Sequence, residues 1–390
     1  MTRSTHRRDR PPPRRPKRLR NPRRGRARTG KSRRNEVQNR SAELIRYTWS
    51  VPHDAPAVTA LRRIAFLLEL AQEPTYRVRA FRRAADLVSA LTADELERRI
   101  REGSLQRLPG IGAVTALAII EAQRGEAPVY LRRLESTEGR AVADDAAALH
   151  AALRGDCHTH SDWSDGGSSI LEMAEAARSL GHEYVTLTDH SPRLTVARGL
   201  SAERLRQQLE EVERLNVGLA PFRILTGIEV DINEDGSLDQ EDRLLDRLDI
   251  VVASVHSKLR MPREQMTERM MMAVANPRTN VLGHCTGRIV VGRGRPESEF
   301  DAEAVFAACR RFDVALEINS RPERLDPPKR PLRLAVEAGC RFAIDTDAHA
   351  PGQLDWQMVG CERAAACGVA FDTVINTLSA TGLVAWANRV

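Results

Sequence analysis

The chain has 390 residues, of which 42% are hydrophobic and 29% are charged. This length exceeds the usual size of one compact domain, so we expect two folded domains and a tail. No apolar run approaches the roughly 20 residues that span a bilayer, and the N-terminal residues lack the apolar segment of a secretory signal. We therefore expect a soluble cytoplasmic protein. The six cysteines lack paired C-x-x-C spacing, which argues against a disulfide framework or a zinc ribbon.

Positive charge is concentrated at one end of the chain. Residues 1–34 contain 16 Lys or Arg and one acid, Asp9, which gives them a charge of +15. Since the whole chain carries +7, the remainder is acidic, at −8. A Pro- and Arg-rich segment buries too little apolar surface to fold alone and is attracted to polyanions through counterion release. We predict a disordered basic tail over residues 1–38, which could hold the protein at the nucleoid; a dispensable extension or a wrongly chosen start codon is the alternative.

Residues 39–137 have the apolar spacing of amphipathic helices. The segment APAVTALRRIAFLLELAQ places Val58, Leu61, Ile64 and Leu68 on one helical face. The segment YRVRAFRRAADLVSAL repeats the same spacing. We predict a small all-α domain over this range.

A glycine-rich turn follows in this helical region, at L-P-G-I-G, residues 108–112, just before another helical run. Two glycines around one apolar residue permit a tight turn whose N–H groups, with the next helix N-terminus, can hold a phosphate. The pattern resembles the helix-hairpin-helix motif, which grips a DNA backbone without reading its sequence. An ordinary helix-loop-helix connection is the alternative. The predicted DNA-binding residues are Arg107, Gly110, Ile111, Gly112 and Arg124.

With the preceding YRVRAFRRAA, this region resembles the small N-terminal domain of the family X DNA polymerases. In some members that domain has a lyase activity, which uses a lysine to form a Schiff base. Residues 40–150 contain no lysine, and arginine does not readily lose a proton to become an amine nucleophile. We therefore expect DNA binding without the lyase reaction.

Residues 154–350 alternate short β-rich runs with amphipathic helical stretches, the pattern of a βα-repeated fold. Seven such runs can be counted, and imidazole or acidic side chains lie at or just after their ends. In a barrel of parallel strands these ends meet on one face, so groups far apart in sequence become neighbours. The candidate metal ligands at these ends are His158, His160, Asp165, His190, Glu229, His256, His284, Asp347 and His349.

Imidazole and carboxylate groups are ligands of borderline divalent metals. Nine of them exceed what one ion coordinates, so we predict two to three divalent ions, with Mn, Zn and Fe all suited to these ligands. Such a cluster makes hydroxide from bound water near neutral pH and neutralises phosphate charge during in-line displacement. A hydrogen-bonded core position would be the simpler interpretation of any one histidine, but burying the whole set without ions would be costly.

The motifs occur in a definite order: H-x-H, W-S-D-G, T-D-H-S, G-I-E-V-D-I, A-S-V-H, G-H, L-E-I-N and D-x-H. In this order they resemble the polymerase and histidinol phosphatase (PHP) domain, in the version at the C-terminus of bacterial family X DNA polymerases. The resemblance covers about residues 155–385. It implies an α/β fold, a distorted seven-stranded (βα)7 PHP barrel preceded here by the small all-α helix-hairpin-helix domain.

The resemblance also implies a trinuclear metal centre with three groups of ligands. The first group is His158, His160, Glu229 and Asp347. The second, to which Glu229 forms a bridge, adds His256 and His284. The third is Asp165, His190 and His349. Asp165 stands where some family members have histidine.

Two further residues join Glu229 as catalytic candidates. The stretch NSRPERLDPP resembles the family's N-x-x-P-x-R-L-D, so Arg324 could bind a substrate phosphate, with a structural salt bridge as the alternative. Lys258 follows His256 by two residues and could face the site.

Bacterial family X polymerases place a nucleotidyl-transfer palm and fingers between these two domains. Here residues 138–153 alone separate the helical region from the predicted PHP domain, residues 154–390. We predict a linker over this short segment and no polymerase activity.

The leading functional prediction is a metal-dependent phosphoesterase of DNA repair. It would process DNA 3′ ends as a 3′–5′ exonuclease or act as an abasic-site endonuclease. A phosphatase for a small phosphomonoester, of the histidinol phosphatase type, is the alternative among enzymes. A DNA-binding protein with a non-catalytic barrel is the alternative of another class, and the intact ligand set argues against it.

Overall fold

A computed structural model describes residues 55–136 and 143–388 of the chain. The predicted basic tail lies outside these residues, as does the first part of the predicted linker. Among the described residues, no helix is both long enough and apolar enough to cross a membrane.

The first domain is built from short helices whose apolar faces meet in one core. Leu61, Ile64, Phe81 and Ile119 are all nearly inaccessible to solvent there, which accounts for the helical spacing of apolar residues in the sequence. A 3₁₀ turn at Leu105–Arg107 precedes the glycine-rich turn. The helices are α1 (Pro56–Leu70), α2 (Thr75–Ser89), α3 (Ala93–Arg101), α4 (Ala113–Gln123) and α5 (Val129–Glu135).

The second domain is a parallel sheet of seven strands in sequential order, which confirms the predicted barrel. The strands are buried along almost their whole length, as expected for parallel strands covered on both faces. A parallel bridge between Thr159 and Ala348 brings the first strand to the chain that follows the last one. The strands are β1 (Gly155–Thr159), β2 (Tyr184–Leu187), β3 (Arg223–Asp231), β4 (Ile250–Ser254), β5 (Val281–Leu282), β6 (Ala315–Asn319) and β7 (Phe342–Asp345).

Helices cover the outside of the sheet. The first of them in the chain, α6 (Asp144–Ala152), lies inside the segment predicted as a linker, so the second half of that segment is helical. Its Ala146 and Leu149 are fully buried, and the helix packs against the helix at Gln357–Cys367. The others are α7 (Ile170–Ser179), α8 (Ala202–Leu219), α9 (Asp242–Leu245), α10 (Arg263–Ala275), α11 (Ala302–Phe312), α12 (Lys329–Glu337), α13 (Gln357–Cys367) and α14 (Ala380–Ala387).

The two ends of the barrel differ in chemistry. Tyr184, Leu225, Ile250 and Ala343 belong to an apolar cluster that Ile375 joins from the C-terminal region. The carboxyl ends of the strands and the residues just after them are instead rich in buried histidines and acids. A parallel barrel exposes the loops of that end to substrate, so the polar end is where a site is expected.

The helical domain contacts the barrel directly. Helix α1 packs against a 3₁₀ helix, Pro351–Trp356, that follows β7. The approach is close at Gly352, where an added Cβ would lie 2.4 Å from the Phe66 carbonyl oxygen. The two domains are therefore packed together at the end of the barrel that holds the polar residues.

Candidate metal centre

Glu229, near the end of β3, lies at the centre of a ring of histidines. Its Oε2 lies 2.8 Å from His190 Nδ1 and 3.4 Å from His158 Nε2. Its Oε1 lies 2.8 Å from His284 Nε2 and 3.2 Å from His256 Nε2. The carboxylate is buried, and so are His158 and His284. This placement fits the bridging role that the sequence resemblance implies for Glu229.

The remaining predicted ligands extend the cluster on one side. His160 Nε2 lies 3.6 Å from Glu229 Oε2 and 3.4 Å from Asp347 Oδ1. Asp165 Oδ1 lies 3.4 Å from His190 Nε2 and 3.3 Å from His349 Nε2. The structure therefore brings all nine predicted metal residues into one cluster, although β1 and the chain after β7 lie nearly two hundred positions apart.

The donor atoms of this cluster fit metal ions. In three groups of residues, one ligand atom from each member lies within 4.8 Å of the others. Glu229 Oε2, His158 Nε2 and His160 Nε2 are buried, and despite their short distances to neighbouring groups none of them makes a hydrogen bond of acceptable geometry among the described residues, which is costly unless an ion satisfies them. The three groups are His158, His160 and Asp347; His190, Glu229 and His256; and His160, Asp165, His190 and His349. His284 belongs to none of these three groups.

The charges in the cluster depend on one another. Burial would raise the pKa of the Glu229 carboxyl, but the surrounding imidazoles outweigh burial and hold this pKa well below its ordinary value. Burial would lower the pKa of His190, yet Glu229 and Asp165 raise it to about 10. Burial, with His349 and His190 nearby, holds the pKa of His160 well below its ordinary value. A neutral imidazole is the form that binds a metal, and the lowered pKa of His160 favours that form.

A second layer of side chains orients the ligands. Glu317 Oε1 lies 2.6 Å from His158 Nδ1, which leaves His158 Nε2 directed at Glu229. Asp231 Oδ1 accepts the His256 backbone N–H at 3.1 Å and lies 3.3 Å from His256 Nδ1. Carboxylates that fix the ring and tautomer of a histidine are typical of metal sites.

A cavity of about 380 Å³ opens over the cluster. Arg324 lines it, and the Arg324 Nε lies 3.1 Å from Asp347 Oδ2, while the buried Arg324 Nη1 has no hydrogen-bond partner among the described residues. Burial would raise the pKa of Asp347, but Arg321, His160 and Arg324 hold it well below its ordinary value. Lys258 is exposed and is not among the residues that line this cavity.

The glycine-rich turn lies on the surface of the helical domain. Gly110 has a φ of +106° and Gly112, the N-cap of α4, has an ordinary φ of −91°. The Ile111 N–H donates to the Leu108 carbonyl at 3.1 Å, and the Gly112 N–H donates to Thr115 Oγ1 at 2.9 Å. These two donors are used inside the turn, whereas the first N–H groups of α4 have no acceptor within their own helix and can be offered to a phosphate.

The side chains around the turn fall into two groups. Ile111 is buried in the helical core, so its side chain anchors the turn. Arg107 and Arg124 are exposed on either side of it. Exposed arginines beside a helix N-terminus are suited to phosphate contacts.

Comparison with known proteins agrees with this geometry. A PHP domain profile matches residues 156–321, and a helix-hairpin-helix domain profile matches residues 53–126. A probable phosphatase of Thermoanaerobacter sp. (strain X514) is 30% identical over 240 residues, which cover 57% of this chain and 89% of that protein. The chain belongs to the PHP family.

A longer relative shares a higher identity with part of this chain. The DNA polymerase/3′-5′ exonuclease PolX of Bacillus subtilis (strain 168) is 41% identical over 237 residues, or 61% of this chain. The match spans only 41% of that relative's length. The crystal structure of a histidinol phosphate phosphatase from Lactococcus lactis, complexed with zinc, L-histidinol and phosphate, aligns with 55% of this chain and 92% of its own, at 18% identity and a TM-score of 0.41.

Two features of the PHP site escaped the sequence analysis. Arg321 Nη1 lies 3.1 Å from His349 Nδ1 and 3.5 Å from Asp347 Oδ1, and Arg321 lines the cavity. Its position three residues before Arg324 was the available signal. The pairing of Asp231 with His256 was also missed. Asp231 is the second carboxylate of G-I-E-V-D-I, two residues after Glu229, and nothing in the sequence indicates which side chain it contacts.

Proposed function

We propose that the chain is a metal-dependent phosphoesterase that hydrolyses phosphate esters in DNA, at 3′ ends or abasic sites. One observation supports this above the others: nine imidazole and carboxylate side chains, among them the buried Glu229, form one cluster in a chain that also has a helix-hairpin-helix turn. The first feature is suited to hydrolysis, and the second is suited to holding a DNA backbone.

The ligand groups would hold two to three divalent ions. His158, His160 and Asp347 would surround one, Glu229 and His256 another, and Asp165 with His349 would complete a third. When bound, such ions lower the pKa of coordinated water and neutralise the charge that develops on phosphate oxygens. Imidazole with carboxylate suits Zn, Mn and Fe alike, so the donor set leaves the metal open.

The chain's own residues would position the ester. Arg324 and Arg321 line the cavity beside Asp347, where their guanidinium N–H groups can donate to phosphate oxygens. Glu317 and Asp231 would keep His158 and His256 in the orientation that ligation needs. Lys258 is exposed, which makes a contact with an incoming polyanion its best remaining role.

A small phosphomonoester is the second candidate substrate. The Thermoanaerobacter relative, 89% of whose length is covered by the match, is named a probable phosphatase. The cavity of about 380 Å³ falls at the lower end of the roughly 300–1,000 Å³ range of small-molecule sites. Neither observation explains why a DNA-binding motif shares the chain, so DNA remains the preferred substrate.

One assay separates these functions. Metal-loaded protein is incubated with a 5′-labelled oligonucleotide, with a duplex that holds one abasic site, and with histidinol phosphate. Shortening of the oligonucleotide or scission at the abasic site supports the proposal. Turnover of histidinol phosphate alone favours the small-ester phosphatase, and no turnover of any substrate favours the non-catalytic interpretation.

Metal content provides an independent test. We expect two to three equivalents of transition metal per chain after gentle, chelator-free purification, measured by elemental analysis. Less than one equivalent would contradict the proposed site.

A further inference from the structure

The loops that hold Asp165 and His349 are joined to each other. Asp165 lies in the loop after β1, and His349 lies in the loop after β7. The Gly167 N–H donates to the His349 carbonyl oxygen at 2.7 Å, so the backbone of one loop supports the other. Asp165 is among the more exposed ligands, with 36% of its side chain accessible, whereas most of the cluster is buried. This side of the cluster is therefore the one that most needs support from outside the barrel.

An ion pair in the helical domain contacts both of these loops. Arg82, on α2, pairs with Glu69, on α1, at 2.6 Å. Arg82 Nη1 also donates to Ser168 Oγ and, at 3.3 Å, to the Gly167 carbonyl oxygen. Glu69 Oε2 accepts the Gly352 N–H at 2.8 Å. The pair thus contacts the loop of Asp165 through Arg82 and the loop of His349 through Glu69.

The ion pair of Glu69 and Arg82 is largely shielded from solvent. The Glu69 side chain is 6% exposed and the Arg82 side chain is 21% exposed. A buried ion pair contributes little to stability when compared with apolar residues of similar size, so its presence at a domain boundary calls for another reason. Gly352 lets α1 come close, since a Cβ there would also lie 2.8 Å from Glu69 Cβ.

We infer that Glu69 and Arg82 are positioning residues of the metal centre. Through these two residues the helical domain holds the ligand group of His160, Asp165, His190 and His349 in place. This rests on the proposed function, because it needs ions at the cluster. In this arrangement the helical domain supplies more than an attachment to DNA. It holds Asp165 and His349 at the spacing that one ion requires.

The test is a titration of metal-free protein with Mn²⁺, in which free Mn²⁺ is counted by electron paramagnetic resonance. Wild-type protein is compared with Arg82→Ala, Arg82→Lys and Ser168→Ala, and with Arg79→Ala as the matched control. Arg79 lies on the same helix and is exposed. Because outer-layer partners of metal ligands typically affect affinity by about 10- to 100-fold, we expect Arg82→Ala to weaken one ion by at least about tenfold.

The other ions should bind as in wild type, Arg82→Lys should restore part of the loss, and Arg79→Ala should change nothing. The double variant Arg82→Ala/Ser168→Ala should be no weaker than Arg82→Ala alone, since both changes remove one contact. Identical titrations for wild type and Arg82→Ala, or equal weakening of every ion, would overturn the inference. If Arg82→Ala does not fold, Ser168→Ala decides in its place. Wild-type protein that binds no Mn²⁺, Zn²⁺ or Fe²⁺ would instead overturn the proposed function.

Discussion

The metal centre and the glycine-rich turn place their functional groups in opposite ways. The metal centre uses side chains from the ends of different strands, is largely buried, and exists only once the barrel is closed. The turn uses the backbone of consecutive residues, 108–112, and its two glycines are exposed. The centre should therefore fail when a single side-chain atom changes. The turn should fail only when a side chain obstructs its backbone.

The largest expected effect comes from removing a ligand. His158→Ala or Asp347→Ala should reduce hydrolysis by more than about 100-fold, since loss of even an outer-layer partner of a metal ligand costs roughly 10- to 100-fold. DNA affinity, measured by fluorescence anisotropy, should stay close to wild type because the turn lies on the other domain. If affinity fell in proportion to activity, the separation of the two regions would be wrong.

Within this set, Glu229→Gln should be at least as damaging as either alanine substitution. Glu229 lies within 3.6 Å of five imidazoles, and the amide nitrogen of glutamine cannot ligate where an oxygen did. The measurement is the same hydrolysis assay, together with metal content. Retention of both activity and metal would show that Glu229 does not bridge the ions.

A smaller loss is expected one layer further out. Asp231→Asn removes the charged partner of His256 and should lower metal affinity or activity by about 10- to 100-fold. Asp235→Asn is the matched control, because Asp235 is an exposed acid on the chain just after β3. Equal behaviour of the two variants would mean that Asp231 does not orient His256.

The sequence revealed the ligands better than it revealed what holds them. His256, His284 and His349 each follow an apolar run, and the barrel topology alone brings the ends of such runs together. No comparable rule relates Glu69 to Gly352, because their contact depends on how two domains pack. Helix α6 was not predicted although its Ala-rich sequence favours a helix; what the sequence did not reveal is the contact with α13 that buries Ala146 and Leu149.

The turn should respond to added volume alone. At Gly112 a Cβ would meet nothing within 4 Å, so Gly112→Val should leave the fold intact while obstructing a backbone that approaches α4. We expect roughly tenfold weaker action on oligonucleotides, mainly in KM, which corresponds to about 1.4 kcal/mol of binding free energy. Hydrolysis of a small chromogenic phosphate ester should be unchanged.

Gly110 sharpens this test. Its φ of +106° is unfavourable for other residues, and a Cβ would lie 2.8 Å from Arg83 Nε, so a Gly110 substitution adds strain to obstruction. The double variant at Gly110 and Gly112 should therefore lose thermal stability as well as oligonucleotide activity. An unchanged ratio of oligonucleotide to small-ester activity in either variant would remove the main reason for preferring DNA.

The smallest expected effect concerns the basic tail. Deleting residues 1–34 removes a charge of +15 from a chain whose remainder carries −8, so the truncated protein should bind DNA more weakly. Each phosphate contact that is lost should flatten the plot of log affinity against log salt by about 0.9. The glycine variants should weaken binding with a much smaller change in this slope, because they act on a few N–H groups and remove no charge. Measuring DNA affinity at several salt concentrations for the truncated protein, Gly112→Val and wild type therefore separates the two contributions. A tail deletion that leaves both affinity and slope unchanged would assign all DNA binding to the folded domains and favour the dispensable-extension interpretation of residues 1–34.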